Sequence, residues 1–231
     1  MCPTTLLNKS NEIILYTSNL YHFNIISYIK DAYDAKVTIV TNGFIEKEQY
    51  ESLRSIVENF QVSLYGFSDS AVKLISKIRL DIVRSFCEYI SSRQHSLDVK
   101  FVMSPMVIHE LIPFLEWSLC LNVAHVMVYY AILPTKDYET SGRRDVSSFE
   151  HLVPEYWNPI MDRLSCEVKS FFIQNKQIIL NKGINYIINH DVLDILHISS
   201  SFLSDLGIPQ EKSISISCKA WKPLLEKSHY E

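Results

Sequence analysis

The chain predicts an α/β fold, a parallel sheet with helices on both faces, and two observations carry that expectation. Short apolar runs of strand length alternate with longer stretches whose apolar residues recur at helical spacing. With 231 residues, 47% hydrophobic and 12% aromatic, the chain can also bury a sizeable core. Strict alternation of strand and helix argues for parallel strands joined by helical crossovers.

The first strand is expected over residues 12–17, followed by a helix over 23–33 with Ile25, Ile26 and Ile29 on one face. A β-branched strand over 36–41 ends at Asn42-Gly43, and a helix over 46–59 carries Tyr50, Leu53, Val57 and, just past its end, Phe60 at helical spacing. A strand over 61–65 leads to a long helix over 69–92, whose inner face is Val72, Ile75, Ile78, Ile82 and Phe86. A strand over 99–103 ends at Ser104-Pro105, a helix follows over 107–121, and the fifth strand covers 124–131.

Beyond Leu133 the regularity weakens. Residues 134–148 are polar and read as an exposed loop, and 134–153 as a loop or lid. A helix over 159–181 is closed by Gly183, another over 191–206 stops at Gly207-Ile208-Pro209, and a short strand covers 213–218. No linker divides the chain. The expectation is one domain over 1–231: strand–helix repeats over 12–133, the loop or lid, then C-terminal helices and a short strand over 154–231.

Composition excludes several classes. A net charge of −4 with no clustered basic face argues against nucleic acid. The five cysteines, at 2, 87, 120, 166 and 218, are scattered, which fits reduced thiols in a cytoplasmic protein. No signal peptide and no run of about 18 apolar residues is visible, so no spanning segment is expected, though peripheral membrane contact stays open. Only five glycines are present, without GxGxxG or GxxxxGK[ST]. His190-Asp191 and Asp194 with His197 lack a third ligand and read as structural, so no metal site is expected. No GxSxG elbow is present, and no acidic cluster suits Mg²⁺-dependent phosphoryl transfer.

His22 falls at the carboxyl end of the first expected strand, where sites form in open α/β sheets. The segment Tyr21-His22-Phe23-Asn24-Ile25 resembles the opening βα unit of the GT-B glycosyltransferases, in particular the UDP-sugar-dependent group and its sterol-glucosyltransferase branch. Lys36-Val37-Thr38-Ile39-Val40-Thr41 is similar to that family's second strand, and Phe101-Val102-Met103-Ser104-Pro105 to its fourth. Leu121-Asn122-Val123-Ala124 and Leu206-Gly207-Ile208-Pro209 resemble its Leu-Gly-hydrophobic-Pro steps. The chain departs from the pattern at Tyr21, where the family has Gly, and at Ile25, where it has Pro.

The resemblance implies a Rossmann-like domain of the GT-B N-terminal type. It makes His22 the base that deprotonates an acceptor hydroxyl, chemistry suited to an imidazole near neutrality. It places Asn19, Tyr21, Phe23, Ser104, His109 and Tyr130 around an acceptor, a lipid or other small apolar alcohol. Ser104 stands where many members carry the Asp that orients the histidine. The second, donor-binding domain has no counterpart in these residues. The expectation is therefore an acceptor-binding half that binds no cofactor itself, takes a UDP-sugar as co-substrate, and depends on a donor-domain partner. The alternative is a non-catalytic Rossmann-like binding or scaffold protein using the same cleft for a small molecule or protein.

Overall fold

The computed structural model describes residues 5–7, 12–16, 23–130 and 154–209. Strand-forming runs give β1 (Thr5–Leu7), β2 (Glu12–Tyr16), β3 (Lys36–Thr41), β4 (Asn59–Leu64), β5 (Ser96–Met103), β6 (His125–Tyr130) and β7 (Asn185–Ile188). The helices are α1 (Phe23–Tyr33), α2 (Lys47–Leu53), α3 (Asp69–Ser76), α4 (Leu80–Ser92), α5 (Leu111–Cys120), α6 (Pro154–Lys182), α7 (His190–Ile195) and α8 (Phe202–Asp205).

Local chemistry sets the element ends. Glu46 and Gln49 form a reciprocal capping box at the start of α2. That helix stops well before residue 59, because Glu58 is already tied to β3: its N–H donates to the Val37 carbonyl at 2.9 Å, and its carboxylate accepts the Val37 N–H at 2.6 Å. The single helix expected over 69–92 is two helices. Ser68 caps α3 by accepting from the Ala71 N–H at 3.3 Å, and α3 ends where Lys77 turns left-handed at φ 57°. Gly183, at φ 65°, closes α6 as expected. The four-residue β7 directly after it was not expected. The loop or lid over 134–153 and the short strand over 213–218 lie outside the described residues.

All seven strands join one sheet in the order β1-β2-β3-β4-β5-β6-β7. β1 runs antiparallel to β2, and β2 through β7 are parallel. This order corrects the expected arrangement of helices. Right-handed crossovers that always advance in one direction put their helices on one side of the sheet. A doubly wound sheet instead reverses direction part-way.

Packing shows the same thing. Phe60 pairs with Leu97, Phe101 with Val128, and Val126 with Tyr186. Alternate residues share a face, so Phe60, Phe101 and Tyr186 all project to the same side. Tyr50 of α2 lies 5.6 Å from Phe60, and Phe86 of α4 lies 6.1 Å from it. Phe114 of α5 is 5.1 Å from Phe101, and Phe172 of α6 is 4.9 Å from Tyr186. Four helices therefore cover one face, the outer one. Phe60, Phe101, Phe114, Phe172 and Tyr186 are fully buried, each worth about 2 kcal/mol of hydrophobic stabilisation.

Candidate functional site

The other face of the sheet, the inner one, is polar. Register places Gln61, Asp98, His125 and Asn185 side by side across four strands. One step toward the carboxyl ends, Ser63 sits opposite Lys100, and Lys100 opposite Met127. One step further, Val102 sits opposite Tyr129. One step toward the amino ends, Thr38, Asn59 and Ser96 are in register. A parallel sheet covered by helices on both faces carries near-continuous apolar strands. Here the apolar residues alternate with Asn, Gln, Ser, Asp, Lys and His.

Toward the amino ends, Asp98 centres a hydrogen-bonded network. Asp98 is 4% exposed. Its carboxylate accepts from Asn59 Nδ2 at 2.6 Å and from His125 Nδ1 at 2.8 Å, and the Ser96 hydroxyl donates to Asn59 Oδ1 at 2.9 Å. A buried carboxylate needs such partners, since an unpaired one costs several kcal/mol.

The Lys100 ammonium stands 4.5 Å from the centroid of the Tyr129 ring, within cation–π range. Beside it, the Ser63 hydroxyl, in a residue only 9% exposed, and the half-buried Gln61 amide take no hydrogen-bond partner among the described residues. A fixed cation, an aromatic face, a hydroxyl and an amide together can hold and orient a polar ligand that carries a carboxylate.

At the carboxyl edge, backbone conformation is constrained. Gly43 follows β3 at φ 83°, and a Cβ there would meet Val83 Cγ1 at 2.7 Å, so only glycine fits. After β4, a Cβ on Gly66 would lie 2.6 Å from the Ala71 Cβ and 3.0 Å from Glu110 Oε2. Glu110, 6% exposed, accepts the Phe67 N–H on one oxygen and the Ser68 hydroxyl on the other. It locks the β4–α3 loop.

Of the residues expected at the site, His22, Asn19 and Tyr21 lie outside the described residues. Phe23 opens α1. Ser104 is buried just past β5, and Tyr130 ends β6 half-buried on the outer side, in register with Met103. His109 is solvent-exposed, 3.7 Å from the Glu110 carboxylate. The polar inner face was missed at the sequence level. Its signal is the period-two alternation Asn59-Phe60-Gln61-Val62-Ser63-Leu64, repeated in Ser96-Leu97-Asp98-Val99-Lys100-Phe101.

Among the described residues, no group of three or more His, Cys, Asp and Glu is placed to hold a metal ion. No helix among them is long and apolar enough to cross a membrane.

No protein-family model matches the chain, and no curated protein matches it. Solved structures do. SuiB from Streptococcus suis superposes with a TM-score of 0.55 at 14% identity, over 80% of this chain and 40% of that one. The same protein bound to its precursor peptide SuiA gives 0.54 at 13% identity, over 86% and 46%. SuiB bound to S-adenosylmethionine gives 0.53 at 14%, over 80% and 39%. This chain thus spans less than half the length of SuiB.

These likenesses overturn the glycosyltransferase resemblance. The fold is that of part of SuiB, an S-adenosylmethionine-binding protein, not a GT-B N-terminal domain. With the family fall the transferase activity, UDP-sugar as co-substrate, the role of His22 as acceptor base, and the small apolar alcohol and donor domain as partners. The physical reason is the strand order. Short degenerate matches such as Phe101-Val102-Met103-Ser104-Pro105 mark a strand end in any parallel α/β protein, whereas the one-directional winding is specific.

Proposed function

We propose that this chain forms the barrel portion of an S-adenosylmethionine-dependent enzyme resembling SuiB, with the inner sheet face as its ligand surface. The observation that carries the reading is the patch of Gln61, Ser63, Lys100 and Tyr129, drawn from three successive rows of the inner face, polar and aromatic groups gathered where a two-sided parallel sheet would be apolar. S-adenosylmethionine offers matching chemistry: an α-carboxylate for Lys100, and an α-amino group and hydroxyls for Gln61 and Ser63. In (β/α) barrels ligands gather toward the carboxyl ends of the strands, while the amino ends serve stability. Ser63, Lys100 and Tyr129 lie on the carboxyl side of Asp98.

Calorimetric titration of the chain with S-adenosylmethionine tests the reading. Saturable binding is expected, weakened about tenfold, or about 1.4 kcal/mol, by Gln61→Leu and by Lys100→Met. Absence of saturable binding by the folded wild-type chain would sink it.

Radical use of S-adenosylmethionine requires an iron–sulfur cluster held by clustered cysteine thiolates. Among the described residues the cysteines do not gather into such a set. Cys87, Cys120 and Cys166 sit on three different helices, and Cys87 is buried.

A further inference from the structure

We infer that this chain's own cysteines supply no iron–sulfur cluster to the inner face, so this chain by itself does not cleave a sulfonium ligand reductively. This goes beyond the reading above and stands whether or not S-adenosylmethionine is the ligand.

The chain has five cysteines, at 2, 87, 120, 166 and 218. The two nearest, Cys87 and Cys120, are 33 positions apart, so no local run can wrap a cluster. Cys87 is fully buried in α4, among residues packed on the outer face, and burial pushes its thiol up, so it stays protonated and cannot ligate. Cys120 is the last residue of α5. That helix returns from the carboxyl end of β5 to the amino end of β6, so Cys120 lies at the end of the sheet opposite the carboxyl edge. Cys166 is exposed on α6, which packs on the outer face through Phe172 and Tyr186.

The three described cysteines therefore occupy separate outer helices. Only Cys2 and Cys218 remain, and both lie outside the described residues. Two thiolates are fewer than the Cys₄ set such clusters ordinarily take, and fewer than any three-cysteine site.

The test is anaerobic reconstitution of the full chain with ferrous iron, sulfide and dithiothreitol, followed by desalting. Iron and acid-labile sulfide at background, with no broad visible charge-transfer absorbance, are the expected result. Treatment of the same sample with dithionite and S-adenosylmethionine is expected to give no 5′-deoxyadenosine. Iron stripped by a chelator without labile sulfide counts as background. A cluster that survives desalting and is lost on Cys2→Ser or Cys218→Ser overturns the inference. The titration of the untreated chain keeps the two ideas apart. Cluster formation with unchanged binding removes only the cluster-free inference, while no cluster and no binding removes only the assignment of S-adenosylmethionine.

Discussion

Asp98 of β5 takes a hydrogen bond from Nδ1 of His125 directly opposite it on β6, at 2.8 Å, with the Asp98 side chain 6% and the His125 side chain 25% exposed. The pair sits near the amino ends of its strands, backed by Asn59 and Ser96. The Nδ1 contact also fixes which ring nitrogen bears the proton while the histidine is neutral.

Removing the carboxylate strands two donors. Asp98→Ala is expected to cost about 2 kcal/mol in denaturant unfolding. Combined with His125→Ala in a double-mutant cycle, it should show a coupling of about 1 kcal/mol. S-adenosylmethionine affinity should change less than with Lys100→Met. A larger affinity loss in Asp98→Ala than in Lys100→Met would move the ligand surface to the amino-end row.

Glu110 predicts a second effect. Its carboxylate holds the Phe67 N–H and the Ser68 hydroxyl, and Ser68 in turn caps α3. Glu110→Ala releases both, so amide exchange across residues 65–71 should accelerate and stability should fall by about 2 kcal/mol. Gly66→Ala adds a Cβ at 2.6 Å from Ala71, an overpacking expected to cost about 1–3 kcal/mol. Unchanged exchange in both variants would show that the loop is held by something else.

Tyr186 predicts the opposite sign. It is fully buried under Phe172, and its hydroxyl makes no well-formed hydrogen bond among the described residues. Burial pushes the phenol up; Ser118, on that side, opposes it, yet the Ser118 hydroxyl is spent on the Leu115 carbonyl at 2.7 Å. Tyr186→Phe removes an unsatisfied group at nearly constant volume, so stability is expected to hold or to rise by up to about 1 kcal/mol. A clear loss in thermal unfolding would reveal a partner for the hydroxyl.

What was legible in the sequence was what is local. The β-branched run Lys36–Thr41 is β3 to the residue, α1 begins at Phe23, and Gly183 ends α6. The side on which the helices lie is set by strand order, a non-local property with no single-residue signature. The break at Lys77 was hidden because a left-handed lysine leaves no composition cue. The inner face was half-legible. Alternation in residues 59–64 and 96–101 signals a sheet covered on one side only, but Gln61, Lys100 and Tyr129 become neighbours only through register. An expectation of burial on both faces masked that signal.

Glu58 supplies the prediction on pH. Just before β4 begins, its side chain joins two elements: it accepts from Lys30 Nζ of α1 at 2.7 Å and from the Val37 N–H of β3 at 2.6 Å. Burial raises its pKa, but the Lys30 and Val37 hydrogen bonds together outweigh that, so the folded value lies below the ordinary carboxylate one. A group depressed in the folded state stabilises above its unfolded pKa, about 4.3, and loses that contribution as pH falls through the folded value. The stability difference between wild type and Glu58→Gln should therefore be largest near neutrality and shrink below about pH 4.3. Because Lys30 and Glu58 are about a third exposed, at 29% and 37%, the Coulombic part should weaken with salt, while the Val37 hydrogen bond persists. Urea unfolding at several pH values, at low and high salt, measures both. A difference that grows on acidification would reverse the sign of the shift and show that burial dominates at this carboxylate.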